Sequence, residues 1–273
     1  MNSGTTLAFE NFFQYTPAQF EIVQNVLTLG YAAMAAGLVY FLLTLKQSAP
    51  KLQLPGIISC VVMASAFLAL FALEQNWRAT FVFNSQTALW TPAGSGSSFN
   101  NGYRYINWTI DVPMLLTQFL IAIGLTGRRF QQIRWRVAIG GLLMIYTGYI
   151  GQFYETSDLF QFYLWGTVST VFYVYVLWVL LNAVSKNAME LEGEPRDKAL
   201  YLRWWVLVTW TLYPIAYLMP VLWFDAWGVV TRQILYTVAD ISTKVLFGVL
   251  LADLVTLRSA QRGHPEAVQS LRP

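Results

Sequence analysis

Residues 230–257 read VTRQILYTVADISTKVLFGVLLADLVTL, and this stretch decides the fold. A helix crossing a bilayer needs about 20 mostly apolar residues, and this run is longer than that. It nevertheless holds Arg232, Asp240, Lys244 and, near its far end, Asp253. Lys244 lies about halfway along, too deep for its stem to carry the charge easily to either surface. Ionisable groups in hydrocarbon are costly, so each is a functional candidate by default. Two readings of Lys244 stand side by side. One is an ion pair with Asp240, one turn away at i−4 on the same helical face. In the other the amine is used covalently, as a Schiff base with an aldehyde cofactor. A protonated Schiff base is still a buried cation, so both readings require a carboxylate.

The same measure finds six further apolar runs, at 19–45, 55–76, 104–126, 134–153, 160–184 and 201–224. Composition agrees. Of 273 residues, 56% are hydrophobic, 16% aromatic and 11% charged, where soluble domains carry about 25% charged residues. That much apolar material excludes a disordered chain. Cys60 is the single cysteine, which excludes a disulfide framework and a multi-thiolate metal site. His264, the single histidine, lies in a polar C-terminal tail, so histidine-based zinc sites and Ser-His-Asp triads are excluded too. The net charge of +3 says little about nucleic acid. The expected fold is an all-α membrane protein. It forms one seven-helix domain over residues 1–273, with an N-terminal segment at 1–16 and a tail at 258–273.

Arginine and lysine counting orients the bundle. Of the 17 basic residues, all but Arg78, Arg104, Arg232 and Lys244 fall in the loops after spans one, three and five or in the tail. This predicts an outside N-terminus and a cytoplasmic C-terminus. Residues 1–16 lack a basic start and a cleavage pattern, so no signal peptide is read there. Phe9, Phe12 and Phe13, near helical spacing, predict a short interfacial helix. The alternating run Thr80-Phe81-Val82-Phe83, followed by Gly and Ser, predicts a small β-hairpin in the loop 77–100. The loop 186–198 reads as a solvated connector, and Glu74 as a group that reaches water at the outer end of span two.

Span three supplies the carboxylate. Arg104, Asn107, Trp108, Asp111, Leu115 and Gln118 recur at spacings of 3 and 4 and share one face of a helix. Asn or Gln alone serves to join membrane helices. That role does not cover Arg104 and Asp111 together with Asp240 and Lys244. Trp108 is on the same stripe, and Trp210, Tyr213 and Pro214 recur with helical spacing in span six. Flat apolar walls of this kind suit a long conjugated ligand.

Three motifs now resemble one family. Arg-Tyr-x-x-Trp-x-x-Asp-x-Pro at 104–113, Trp-x-x-Tyr-Pro at 210–214 and Asp-x-x-x-Lys at 240–244 resemble the microbial rhodopsins over nearly the whole chain. The resemblance implies that Lys244 holds all-trans retinal, that Trp108 and Trp210 sandwich the polyene, and that Tyr213 and Pro214 line the pocket. It implies a transporter or photoreceptor in the bacterial cell membrane and not an enzyme.

Asn107, Asp111 and Gln118 occupy the three positions that sort functions in this family, and they resemble the light-driven sodium pumps. Asp111 is then the counterion and the acceptor of the Schiff base proton, while Asn107 and Asp240 coordinate a transient sodium ion. Gln118, unable to donate a proton, lines the intake path. Ser65, with Ser242 or Thr243, adds hydroxyls near the site, and Arg104 pairs with Asp240 as an outer gate. Glu10, Glu155 and Arg232 resemble the family's exit cluster, against the alternative of surface ion pairs. A pentamer is implied, although Ser97 replaces an interfacial sodium-binding aspartate and Asn25 an interfacial histidine. Gly56 and Ala252 depart from the family pattern at the cytoplasmic mouth. The readings carried forward are an outward sodium pump, an outward proton pump when sodium is scarce, a photosensor without net transport, and a light-gated channel. A seven-span protein without retinal, its Lys244 merely paired, is the remaining one.

Overall fold

A computed structural model describes residues 8–94 and 98–271. Ser97 and Arg272 therefore lie outside the described residues. Seven long helical rods run in succession. They are α1 (Pro17–Thr44), α2 (Leu54–Thr80), α3 (Gly102–Ala122), α4 (Gly127–Gln152), α5 (Leu159–Ala188), α6 (Glu194–Leu222) and a last rod over Ala226–Gln261. That last rod is α7 (Ala226–Asp240), a π-helical turn (Ile241–Leu246) and α8 (Phe247–Gln261). A short α9 (Pro265–Ser270) ends the described chain. Because successive rods alternate in direction, the N-terminal turn and the hairpin share one end of the bundle, the hairpin end. The C-terminal tail marks the other, the tail end.

Local signals start the rods where the chain must turn. Thr16 and Gln19 form a reciprocal capping box, with Thr16 N donating to Gln19 Oε1 at 2.9 Å and Gln19 N to Thr16 Oγ1 at 3.3 Å. Asp158 caps α5 by accepting from the backbone N–H groups of Phe160 and Gln161. Asp225 caps α7 by accepting from Trp227 N. Gly141 lets α3 approach α4, since a Cβ there would stand 2.9 Å from Val112 Cγ1.

Helix edges depart from the predicted runs at charged ends. Residues 186–198 are not a connector: α5 continues to Ala188 and α6 starts at Glu194. Gly193 at φ +63° turns the chain, Pro195 tolerates the first turn, and Glu194 and Asp197 complement the helix N-terminus. The hairpin is present as β1 (Phe81–Asn84) paired antiparallel with β2 (Leu89–Pro92). Tyr15 adds a bridge to Trp90, so the N-terminal segment joins the hairpin edge.

Two expectations at this end are corrected. Residues Phe9–Asn11 form a single 3₁₀ turn that inserts into the bundle end, with Phe9 and Glu10 buried, and not a helix lying on the membrane surface. The aromatic rings explain it, because Phe9 packs edge-on against Phe162 and Phe224. Glu74 does not reach water. It is 2% exposed, accepts from Gln75 Nε2 at 2.7 Å and lies 3.7 Å from Arg78.

Candidate functional site

Lys244 projects from the π-helical turn into the bundle axis and is 1% exposed. Such turns widen a helix by one residue and occur frequently at functional positions. Here the Ser242 carbonyl accepts the Trp205 indole N–H at 2.9 Å. The Lys244 Nζ donates to Asn107 Oδ1 at 2.7 Å and to Asp240 Oδ1 at 2.9 Å. Asp111 Oδ2 lies 3.2 Å away, an ion pair in which neither carboxylate oxygen has an aligned hydrogen bond. The two buried carboxylates are therefore held very differently. Asp240 also accepts from Arg104 Nη1, from Trp108 Nε1 at 3.1 Å and from the Tyr213 hydroxyl at 3.0 Å.

The α3 stripe arrives as the spacing predicts, with Arg104, Asn107, Trp108, Asp111, Leu115 and Gln118 all buried. Asn107 Nδ2 donates to Ser65 Oγ at 2.9 Å, which fixes the amide with its oxygen toward Lys244. Of the two hydroxyls offered at 242 and 243, Thr243 belongs to the site: its Oγ1 lies 2.9 Å from the Tyr213 hydroxyl. Ser242 contributes its carbonyl to Trp205 instead and does not line the cavity.

A cavity of about 560 Å³ runs from Lys244 between Trp108, Trp210, Tyr213 and Pro214. Its far end reaches the exposed α5 residues Thr167, Val171 and Val174. The size falls within the usual range for small-molecule pockets, and the walls are largely apolar and aromatic. A long apolar aldehyde fits this shape, with the primary amine at one end as the point of attachment. The residues present thus fit retinal.

Toward the tail end, Gln118 Oε1 accepts from Ser59 Oγ at 3.1 Å, while its Nε2 has no partner among the described residues. Ser59, Gly56 and Ala252 line a second, much smaller cavity of about 20 Å³. Asp253 lies beyond it, paired with Lys198 at 3.0 Å.

Toward the hairpin end, Arg232 lies between two glutamates, 3.3 Å from Glu10 Oε1 and 2.8 Å from Glu155 Oε1. All three side chains are fully buried, so the alternative of surface ion pairs is overturned. The 3₁₀ turn achieves this by closing over the cluster, with Phe9 N donating to Glu155 Oε2 at 3.0 Å. Burial pushes the Glu155 carboxyl above its ordinary value of 4.5, against the pull of Arg232. Three residues here carry no role in the sequence reading: Asn101, Gln233 and Thr237. Asn101 Nδ2 donates to Glu10 Oε1 at 2.9 Å, and Arg104 Nη2 donates to Thr237 Oγ1 at 3.1 Å. As neutral side chains they raise no charge signal, although the spacing 233, 237, 240 places two of them on the Asp240 face. Asn25 is exposed on α1 and belongs to neither cluster.

A mostly helical membrane protein with a lysine-ended aromatic cavity and a two-stranded hairpin is the class that this geometry defines. Residues 21–257 match the sequence profile of the family described as bacteriorhodopsin-like protein. The chain is 27% identical over 247 residues to bacteriorhodopsin of Halobacterium salinarum, covering 88% of this chain and 87% of that one. It is 21% identical over 230 residues to a green-light absorbing proteorhodopsin from a gamma-proteobacterium, covering 84% of each. Among solved structures it superposes on xanthorhodopsin, a light-driven ion pump with dual chromophore, at TM-score 0.83 and 29% identity, covering 92% of this chain and 98% of that one. Thermophilic rhodopsin gives TM-score 0.84 and 26% identity, covering 92% and 99%. The chain belongs to the bacteriorhodopsin-like family of microbial rhodopsins, membrane-spanning retinal proteins of the light-driven ion pump or photoreceptor type.

Proposed function

We propose that this chain is a light-driven outward sodium pump of a bacterial cell membrane, with the hairpin end outside and the tail end cytoplasmic. One observation carries the reading. The neutral Asn107 takes the shortest hydrogen bond from Lys244, at 2.7 Å, while the buried Asp111 waits at 3.2 Å without an aligned hydrogen bond of its own. Retinal bound through the Lys244 nitrogen supplies light absorption and a light-driven change of shape.

The residues then handle a proton and an ion. A positive Lys244 nitrogen repels sodium by about 4 kcal/mol at 4 Å and an effective dielectric near 20. Asp111 Oδ2 takes the proton from that nitrogen, and both groups become neutral together. Asp240 is the poorer acceptor, because Arg104, Trp108 and Tyr213 already donate to it. Asn107 and Asp240 offer hard oxygen ligands to the passing ion. Return of the proton from Asp111 restores the positive charge behind the ion and blocks backflow. Gln118 carries no proton to give, which separates this arrangement from reprotonation out of the tail end. Its bond with Ser59, which lines the small cavity at Gly56 and Ala252, supports reading that cavity as the intake mouth. Arg104 is the gate toward the exit cluster of Glu10, Glu155 and Arg232.

Flash spectroscopy tests the reading. Decay of the state in which Asp111 holds the proton is expected to quicken as sodium is raised at constant ionic strength. A decay rate indifferent to sodium would overturn it. Asp111 cycles a proton whatever the cargo, so outward proton pumping is the second reading, for sodium-free conditions.

A further inference from the structure

Two buried charged clusters lie one above the other along α7, and a single neutral side chain joins them. Gln233 is fully buried. Its Oε1 accepts from Arg104 Nη2 at 3.2 Å, on the side of the Asp240 and Lys244 cluster. Its Nε2 donates to Glu10 Oε1 at 2.8 Å and to Asn101 Oδ1 at 3.1 Å, on the side of Arg232 and Glu155. Among the described residues it is the one side chain that hydrogen-bonds both Arg104 and Glu10. Chemistry dictates the orientation of the amide. A guanidinium has no acceptor to offer and an ionised carboxylate no donor, so oxygen faces Arg104 and nitrogen faces Glu10.

We infer that Gln233 is a positioning residue that couples the Arg104–Asp240 pair to the Glu10–Arg232–Glu155 cluster. When Arg104 draws away from Gln233, a buried acceptor is left without its donor, which is costly. The amide must then turn, and turning withdraws Nε2 from Glu10. The two clusters share one rigid amide, so neither rearranges without disturbing the other. Coupling of this kind is reciprocal: a change at Glu10 biases Arg104 as strongly as Arg104 biases Glu10. The inference needs retinal on Lys244 and holds for either transported ion, so sodium-indifferent kinetics would leave it standing.

The test is light-minus-dark infrared spectroscopy of the full chain with retinal in lipid vesicles. Glu10→Gln identifies the Glu10 carboxylate bands by their loss. In Gln233→Leu the chromophore bands are expected to persist while the Glu10 bands vanish. Glu10 bands that survive in Gln233→Leu would overturn the inference, leaving the electrostatic field alone to link the clusters. Their absence from the unsubstituted protein would overturn it as well. If Gln233→Leu does not take up retinal, Gln233→Met, of matching length, replaces it. Failure of both to bind retinal also overturns the inference, because Gln233 is then a structural residue.

Discussion

The two buried clusters differ in their charge balance. Around Lys244, two cations (Arg104 and Lys244) face two anions (Asp111 and Asp240), and the formal sum is zero. At the hairpin end a single cation, Arg232, faces Glu10 and Glu155, so the formal sum is −1 when all are ionised. An uncompensated buried charge is strongly unfavourable. The hairpin-end cluster therefore favours a bound proton or a nearby cation. The inner cluster is balanced until one proton moves. In the proposed pump this difference would give a cation its direction, with a barrier that switches at Lys244 and an attraction beyond it while both glutamates are ionised.

The comparison breaks most completely at Lys244. Lys244→Ala removes the proposed attachment point, and no coloured product is expected on adding retinal, read by visible absorption. Asp111→Asn keeps the shape and removes the acceptor. Transport is expected to fall by about 100-fold or more, the usual scale for losing a positioned acid–base group. Flash spectroscopy is expected to show no proton leaving the Lys244 nitrogen. Full transport in that variant would refute the role given to Asp111.

At the hairpin-end cluster the expected effect is on stability. Arg232→Leu leaves two buried glutamates without their cation, a change of about 3–5 kcal/mol, measured as earlier thermal bleaching of the bound chromophore. Glu155 sharpens the point through pH. Its carboxyl is raised by burial, so the folded chain binds this proton more tightly than the unfolded one. Linkage then makes stability rise as pH falls from the raised value toward the ordinary 4.5, and the gain is absent above that window. Glu155→Gln is expected to flatten this slope in bleaching temperature against pH. The smallest effect belongs to Ser59→Ala. It removes one hydrogen bond to Gln118, worth about 0.6 kcal/mol in a membrane interior, and is expected to alter the sodium dependence of the photocycle only slightly.

How much of this was legible in the sequence depended on range. Among the described residues, length and apolar composition, which are local properties, mark five of the rods as able to cross a membrane, with α3 and α4 outside that set, and the α3 stripe follows from helical spacing. Lys244, Asp240 and Asp111 stand out because charge in hydrocarbon is rare. The helix ends were less legible, because charged residues such as Glu194 and Asp197 continue a helix past the apolar run. The π-helical turn, whose Ser242 carbonyl accepts from Trp205 on another rod, leaves no mark of its own in the sequence. Gln233 was invisible for a related reason. It is neutral, and its partners Glu10 and Arg104 lie more than a hundred positions away in the chain. The burial of Glu10 and Glu155 likewise comes from a turn closing over the bundle end, which no local pattern announces.

The central claim is that Asp111 takes a proton so that sodium can leave. Its most direct test is to illuminate cells expressing the chain with retinal in unbuffered sodium chloride and record external pH. The account expects a pH rise that grows with a protonophore and vanishes when a bulky organic cation replaces sodium. A light-driven acidification in sodium that the protonophore abolishes would contradict it.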